Sequence, residues 1–204
     1  MENPALPEEV VCHVLRDLTR VHRFLGNTRA ILRALRADPE PIGRVIDLGC
    51  GNGALLDEIR ARMGVEVLGV DLRPPRQTPV PVLVRDAVRD PLPAADVAVA
   101  VCLIHHLSDV DLVRLIRNVG RSCRRFLILD LVRHQLPETL FRIFVAPWQH
   151  PINAADGITS IRRSFTPPEL RTLVAEALGR SGGRMRHTVA PLYMRQVMDI
   201  RFAR

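Results

Sequence analysis

The sequence predicts a doubly wound α/β fold, in which helices cover both faces of a mostly parallel sheet. Short apolar runs that suit buried strands alternate with segments whose apolar residues recur at helical spacing. The first run, Arg44 to Leu48, is followed at once by three glycines at alternating positions and then by a helical pattern. This order is typical of sheets that bind ligands at the carboxyl ends of their strands. We predict one domain spanning residues 1–204.

Two helices are predicted before the first strand. Apolar residues fall on one face from Glu8 to Phe24, and Gly26 can end that helix. A second helix starts near Asn27, a residue suited to an N-cap, and ends before Pro39. Residues 1–40 thus form an N-terminal helical extension that could cover the open end of a ligand site.

Four further strands follow the glycine turn. They are predicted over residues 65–70, 81–84, 96–104 and 126–131. Prolines between the second and third strands leave little room for a helix there. Ser108 and Asp111 form a capping box for a helix that ends at Gly120.

The alternation of strand and helix breaks after the fifth strand. Residues 134–165 hold no clean strand, so we predict a helical insertion that packs over the site like a lid. Thr166 to Glu169 begins another helix with a capping box. Two final strands, over 185–189 and 194–202, bring the total to seven.

The charge of the chain does not by itself indicate nucleic acid. The net charge is +7, but all 29 basic residues are arginine, which is more typical of GC-rich codon usage than of a selected nucleic-acid surface. Residues 158–204 carry nine arginines against three acids, a net of +6. This region is either a solvated basic face or a site for an anionic partner.

Other sequence features favour a cytoplasmic protein. The four cysteines show no metal-ligand spacing and are interpreted as reduced, small core residues. The first twenty residues carry four acids and no apolar stretch of the secretory type. The longest strongly apolar run, Val97 to Ile104, is far below the ~20 residues of a membrane helix. The oligomeric state is not indicated.

Three aspartates are expected at the edge of the sheet where the glycine turn lies. Asp47 precedes the glycines, Asp71 ends the second strand and Asp86 follows the third. The pattern from Gly49 to Ala54 also satisfies a loose dinucleotide fingerprint. Asp47 would repel a pyrophosphate but would attract a positively charged ligand, and Asp86 has no role in dinucleotide binding. The acids therefore favour a cationic cofactor over a dinucleotide.

Taken together and in this order, the run from Val45 to Gly53, Asp71, Asp86 and the stretch from Cys102 to Leu107 resemble class I S-adenosylmethionine-dependent methyltransferases. The resemblance covers residues 44–131 by motif. It implies a Rossmann-like fold with a seven-stranded, mostly parallel sheet whose last strand is antiparallel. It also implies methyl transfer with S-adenosyl-L-methionine as cofactor and no metal.

The resemblance assigns cofactor roles residue by residue. Asp47 would help to place the methionine amino group, Asp71 would accept hydrogen bonds from the ribose hydroxyls, and Asp86 would accept one from the adenine amino group. The other cofactor-binding residues that it implies are Gly49, Cys50, Gly51, Leu72, Ala87, Cys102 and Leu103.

The substrate class is indicated by the segment after the fourth strand. The motif for amino methylation of bases is replaced there by His105-His106-Leu107, which is similar to small-molecule methyltransferases of quinone and polyketide-tailoring pathways. We therefore expect an oxygen or carbon of a small aromatic or polyketide-like molecule as acceptor, in secondary metabolism. A catalytically silent cofactor-binding partner protein and an RNA methyltransferase are the alternatives.

His105 is the candidate general base, because imidazole can take a proton from a phenol or enol near neutral pH. The other reading is a ring that bonds the backbone and shapes the pocket. His106, Arg133, Phe144, Trp148 and Arg162 are the candidate substrate-binding residues. The aromatic residues could instead pack in the core, and the arginines could form ion pairs with Asp130 or Asp156.

Overall fold

Seven strands form one sheet at the centre of the computed structural model, which describes residues 25–149, 151–179 and 182–203. The strands are β1 (Arg44–Leu48), β2 (Glu66–Asp71), β3 (Val82–Val84), β4 (Ala95–Val101), β5 (Cys123–Asp130), β6 (Arg184–Val189) and β7 (Gln196–Arg201). Their spatial order is β3-β2-β1-β4-β5-β7-β6. β1 to β5 pair in parallel, and β7 is antiparallel to both β5 and β6. The predicted fold class is confirmed.

Helices lie on both faces of this sheet. They are α1 (Asn27–Arg36), α2 (Ala54–Met63), α3 (Asp109–Ser122), α4 (Gln135–Phe144), α5 (Pro151–Arg163) and α6 (Pro167–Leu178), with short 3-10 turns at Ile104–His106, Ala146–Trp148 and Pro191–Tyr193. Alternate residues of each central strand point to opposite layers. Val45 packs with the layer of α1 and α2, whereas Ile46 packs with the layer of α3 and α6. The core is therefore double-sided, as a doubly wound sheet requires.

Most element boundaries agree with the sequence prediction, and the differences have local causes. Ser108 caps α3 by accepting a hydrogen bond from the Asp111 amide, and Thr166 begins α6 with a full capping box. β4 stops at Val101, three residues before its predicted end, because Cys102 adopts a φ of 53° and the chain then enters a 3-10 turn. The helix predicted from Glu8 to Phe24 lies outside the described residues.

A buried ionic cluster ties α1 to the amino ends of the strands, opposite the glycine turn. The carboxylate of Asp38 accepts hydrogen bonds from Arg124 at 3.1 Å, Arg125 at 2.9 Å and Arg201 at 3.2 Å. Arg125 also binds both oxygens of Asp199, at 2.8 and 2.7 Å. Bidentate arginine–carboxylate contacts of this kind fix geometry as well as charge. The sequence analysis did not predict this cluster.

Several arginines of the basic carboxyl-terminal region are held by the fold. Arg162 pairs with Glu138, and Arg201 pairs with Asp38. Arg195 donates to the Leu25 carbonyl and to the Asn27 side chain. Part of the net positive charge of residues 158–204 is therefore used within the molecule.

Candidate active site

A cleft of about 740 Å³ opens where β1, β2 and β4 end. The glycine turn and residues after β2 and β3 line this cleft. The turn after β4 and residues of α4 and α5 also line it. A ligand site at the carboxyl ends of the strands is the expected position in this class of sheet.

Left-handed backbone shapes the glycine turn. Gly49, Gly51 and Gly53 have φ values of 70°, 53° and 74°, a region that side chains with a Cβ rarely adopt. A Cβ on Gly49 would also lie 2.7 Å from a methyl group of Leu103. The turn therefore exposes bare backbone to the cleft, next to one of the predicted cofactor residues.

Asp71 holds the glycine turn in place. One of its carboxylate oxygens accepts a hydrogen bond from the Gly51 amide at 2.8 Å, and the other accepts one from the Arg73 amide at 2.8 Å. A carboxylate can accept about four hydrogen bonds, so acceptor capacity remains for a ligand hydroxyl pair. Leu72 follows with 63% of its surface exposed at the mouth of the cleft.

Asp47 is the unusual acid of the site, because only 3% of its surface is exposed. Burial raises the pKa of Asp47 well above its ordinary value, and the nearby Asp71 carboxylate raises it further. A cationic group bound in the cleft would reverse both effects by favouring the ionised acid. A positively charged ligand would therefore be a favourable partner for this side chain.

The turn after β3 presents Asp86 and Ala87 to the cleft. The Asp86 carboxylate accepts from the Val88 amide at 2.8 Å and pairs with Arg89 at 3.2 Å. Asn118 of α3 holds the same turn by donating to the Ala87 carbonyl at 2.9 Å. This supporting role of Asn118 was not predicted, because it depends on packing between elements that are distant in sequence.

The end of β4 brings two further predicted residues, Cys102 and Leu103, to the cleft. Cys102 is one of the few described non-glycine residues with a positive φ. Burial raises the pKa of its thiol, and so does the negative charge of Asp130, so the thiol stays neutral. Backbone strain of this kind gathers at functional sites.

His105 forms a buried pair with Asp130, the last residue of β5. The His105 Nδ1 and an Asp130 carboxylate oxygen are 2.7 Å apart, and the two side chains are 4% and 1% exposed. Asp130 also accepts from the amides of Ile104 at 2.8 Å, His105 at 3.3 Å and Leu131 at 2.7 Å. The carboxylate therefore fixes the imidazole with Nδ1 as the donor and leaves Nε2 as the proton acceptor.

This arrangement differs from the sequence-based interpretation of Asp130. The sequence analysis considered it as an ion-pair partner of Arg133, whereas the structure pairs it with His105. His106 also lines the cleft, with its ring centroid 4.1 Å from that of His105.

Four predicted substrate residues do not line the cleft. Phe144 is 65% exposed, Trp148 is 87% exposed, and neither lines the cleft. Arg133 pairs with Glu169, and Arg162 pairs with Glu138. The sequence analysis considered ion pairs for these two arginines, and the structure contains such pairs, but with glutamates instead of Asp130 and Asp156.

Phe141 is the aromatic residue of the insertion that lines the cleft. A Cβ on Gly157 of α5 would overlap its ring, so the missing side chain lets α4 and α5 approach closely. Pro137, Phe141 and Val145 recur every four residues and share the face of the segment that lines the cleft.

The residues present fit the predicted cofactor. One cleft brings together the bare glycine backbone, the buried acid Asp47 and the acid Asp71 at the end of β2. Leu72 adds an apolar contact at the mouth of the cleft. These features match S-adenosylmethionine, which carries a positive charge, a ribose and an adenine.

Comparison with protein families agrees with this geometry. A family profile described as a methyltransferase domain matches residues 19–177. This chain belongs to the methyltransferase domain family. It is therefore an S-adenosylmethionine-dependent methyltransferase, as the sequence analysis predicted. No curated protein has a significantly matching sequence.

Solved structures share the fold of this methyltransferase. Human N-acetylserotonin methyltransferase in complex with S-adenosylmethionine superposes with a TM-score of 0.69 at 17% identity, over 97% of this chain and 57% of the human one. The plantazolicin methyltransferase BpumL with S-adenosylhomocysteine gives 0.74 at 13% identity, over 99% of this chain and 92% of its own. The pyocyanin biosynthetic protein PhzM gives 0.59 at 14% identity, over 84% of this chain and 54% of its own. This methyltransferase thus spans little more than half of two of these proteins.

Within the described ranges, this methyltransferase has no helix that is long and apolar enough to cross a membrane.

Proposed function

We propose that this methyltransferase acts on an oxygen or carbon of a small aromatic or polyketide-like molecule, with His105 as the general base. The observation that carries the proposal is the buried His105–Asp130 pair, 2.7 Å apart, on the cleft that also holds the cofactor residues. Within this proposal the protein is a cytoplasmic enzyme of secondary metabolism with a small-molecule substrate.

The residues divide the work between cofactor and acceptor. Asp47, Asp71 and Asp86 would hold the amino group, the ribose and the adenine of the cofactor, respectively. The glycine turn, Cys102 and Leu103 would line the rest of its site. S-adenosylmethionine supplies an already activated methyl group when bound, so the protein mainly has to align the acceptor and exclude water.

His105 removes the proton that makes a phenol or enol a poor nucleophile. Asp130 keeps the Nδ1 hydrogen in place and stabilises the imidazolium that forms when Nε2 takes the proton. Among the described residues, Nε2 makes no hydrogen bond, so it remains open to the acceptor. The apolar wall of Pro137, Phe141 and Val145 suits a flat, apolar acceptor.

Two of the structural neighbours are the N-acetylserotonin methyltransferase and the plantazolicin methyltransferase BpumL. Their likeness supports the class of substrate only in general terms. The proposal is tested directly by incubating the enzyme with labelled S-adenosylmethionine and a panel of phenols. The labelled product is then identified.

The role of His105 has a sharper test in His105→Gln. For a weakly acidic phenol, we expect this variant to lower the rate about 10²- to 10⁴-fold near neutral pH, because the proton has no acceptor. A phenol acidic enough to be ionised already serves as the matched control and should lose far less. Equal losses with both phenols would show that His105 only shapes the pocket.

Cofactor binding needs a separate measurement. Titration calorimetry with S-adenosylhomocysteine should give binding to the wild type and to His105→Gln, but not to Asp71→Ala, which removes the acceptor of the ribose hydroxyls and the anchor of the Gly51 amide. Failure of the wild type to bind would contradict the cofactor assignment itself.

A further inference from the structure

Gln196, the first residue of β7, is buried and uses both ends of its side-chain amide. Its Nε2 donates one hydrogen bond to the Leu131 carbonyl at 3.0 Å and another to the Phe165 carbonyl at 2.8 Å. Its Oε1 lies 3.0 Å from Nε2 of His187 on β6. Because the two carbonyls can only accept, they fix the orientation of the amide, and His187 is then the donor to Oε1.

The two carbonyls mark the two ends of the helical insertion. Leu131 is the first residue after β5, and Phe165 lies two residues before α6. Between them the chain leaves the sheet, forms α4 and α5 and returns. A weaker contact, from the Arg133 amide to the same Phe165 carbonyl at 3.4 Å, joins the ends at the same point. One buried side chain, Gln196, thus holds both ends of the insertion together.

The contact with Leu131 also connects Gln196 to the proposed base. The Leu131 amide donates to the Asp130 carboxylate at 2.7 Å, while the Leu131 carbonyl accepts from Gln196. The same carboxylate lies 2.7 Å from Nδ1 of His105. The start of the insertion and the acid that orients the base are therefore held by adjoining peptide groups.

Both ends of the insertion carry residues that line the cleft. Leu131 and Val132 line it at the start of the insertion, and Ile161 lines it near the end. Phe141 of α4 lines the cleft between them in sequence. A change in the separation of the two ends would therefore move this part of the cleft relative to the proposed base.

We propose that Gln196 is a positioning residue for methyl transfer: its amide joins the ends of the insertion and so keeps the residues of α4 and α5 in place beside His105. Gln196 does not line the cleft, so it acts through the insertion and touches neither substrate nor cofactor. This inference rests on the proposed function, because it concerns the acceptor part of the same site.

The first test measures the kinetics of Gln196→Met, which keeps the length of the side chain but removes its donors and its acceptor. We expect kcat/KM for a phenol to fall about 10- to 100-fold, mainly through a higher KM, because a displaced cleft holds the acceptor poorly. The affinity for S-adenosylhomocysteine should change by less than about twofold, since β1 and β2 lie on the other side of β4 from β7. A loss of folded protein alone would lower the number of binding sites and leave KM unchanged.

Asn118→Leu is the matched control, because Asn118 is also a buried amide that donates to two carbonyls. Its partners are Ala87 at 2.9 Å and Asp90 at 2.8 Å, and Ala87 lines the part of the cleft assigned to the cofactor. The control should weaken binding of S-adenosylhomocysteine and leave the KM for the phenol unchanged at saturating cofactor. The same pattern in both variants, or an unchanged KM for the phenol in Gln196→Met, would overturn the inference.

The second test needs no acceptor. Hydrogen exchange followed by mass spectrometry should show faster exchange of the amides of α4 and α5 in Gln196→Met than in the wild type, with β1 and β4 unchanged. Unchanged protection of both helices would overturn the inference. Faster exchange together with a wild type that methylates no phenol would support the role of Gln196 in holding the insertion and would contradict the proposed reaction separately.

His187→Phe provides the test if Gln196→Met does not fold. His187 is half-buried on the edge strand β6, so its replacement is milder, and it leaves Oε1 of Gln196 without its donor. We expect a higher KM for the phenol and faster exchange of α4 and α5, both smaller in size than for Gln196→Met. Unchanged values of both would overturn the inference.

Discussion

The buried cluster around Asp38 gives a stability prediction whose size follows from the structure. Asp38→Asn keeps the volume of the side chain but removes the charge that three arginines share. The pKa of Asp38 is lowered from an ordinary 3.8 to about 2, with hydrogen bonds from the Glu40 amide, Arg124 and Arg125 outweighing burial, which raises it. At about 1.4 kcal/mol per pKa unit, this difference corresponds to roughly 2.5 kcal/mol.

The loss in the variant should be at least that large, because the arginines then remain buried without their anion. Breaking a buried ion pair costs about 3–5 kcal/mol, so we expect the free energy of unfolding to fall by about 2–5 kcal/mol. Since about 1 kcal/mol shifts the melting temperature by about 2–4 °C in a chain of this size, the variant should melt about 5–20 °C lower. Urea unfolding followed by circular dichroism measures the free energy directly.

Acidification provides the decisive check. A carboxylate with a depressed pKa stabilises the folded state above its unfolded pKa, and this contribution is lost as the pH falls through the folded value. The difference in the free energy of unfolding between wild type and Asp38→Asn should therefore be largest at neutral pH and should disappear between about pH 4 and pH 2. Asp57→Asn is the control, because Asp57 pairs with Arg60 at the surface, where a pair contributes about 0–1 kcal/mol. A gap of similar size for both variants, or one that persists at pH 2, would refute the reasoning.

Two further predictions concern the cofactor cleft. Gly49→Ala should lower the affinity for S-adenosylhomocysteine more than tenfold and the stability by about 1–3 kcal/mol, since a Cβ is disfavoured at a φ of 70° and would press on Leu103. Gly64→Ala is the control: Gly64 has a φ of 68° and open space around it, so it should lose stability without losing affinity in calorimetry. Asp47→Asn should abolish binding of the cationic amino group yet raise the stability of the ligand-free protein at neutral pH. The wild type loses stability as the pH rises through the raised pKa of Asp47. Thermal unfolding of Asp47→Asn at several pH values should show no such loss. A variant that is less stable than the wild type at neutral pH would contradict this expectation.

The gathering of the three aspartates at one cleft could be predicted because it follows the order of the strands. Asp47, Asp71 and Asp86 each stand at the end of an apolar run, and parallel strands bring such ends to one edge. Local signals sufficed there, and the same is true of the capping boxes at Ser108 and Thr166.

The acceptor side depends on contacts that no local pattern encodes. The His105–Asp130 pair joins the ends of β4 and β5, 25 residues apart in sequence, and it requires the register of two neighbouring strands. Phe141 and Phe144 lie one turn apart on α4, so helical spacing could not show that Phe141 rather than Phe144 lines the cleft. The buried side-chain nitrogen of Asn153, which has no hydrogen-bond partner among the described residues, likewise depends on packing that the sequence does not show.

The all-arginine composition described at the outset has a practical consequence for enzymology. A lysine cluster at Asp38 would begin to lose its charge in alkaline buffer, whereas guanidinium groups keep theirs at any pH used for assays. The positive charge of the cluster around Asp38 therefore does not change in alkaline buffer. A rise or fall of methyl transfer between neutral and alkaline pH therefore carries no contribution from this cluster.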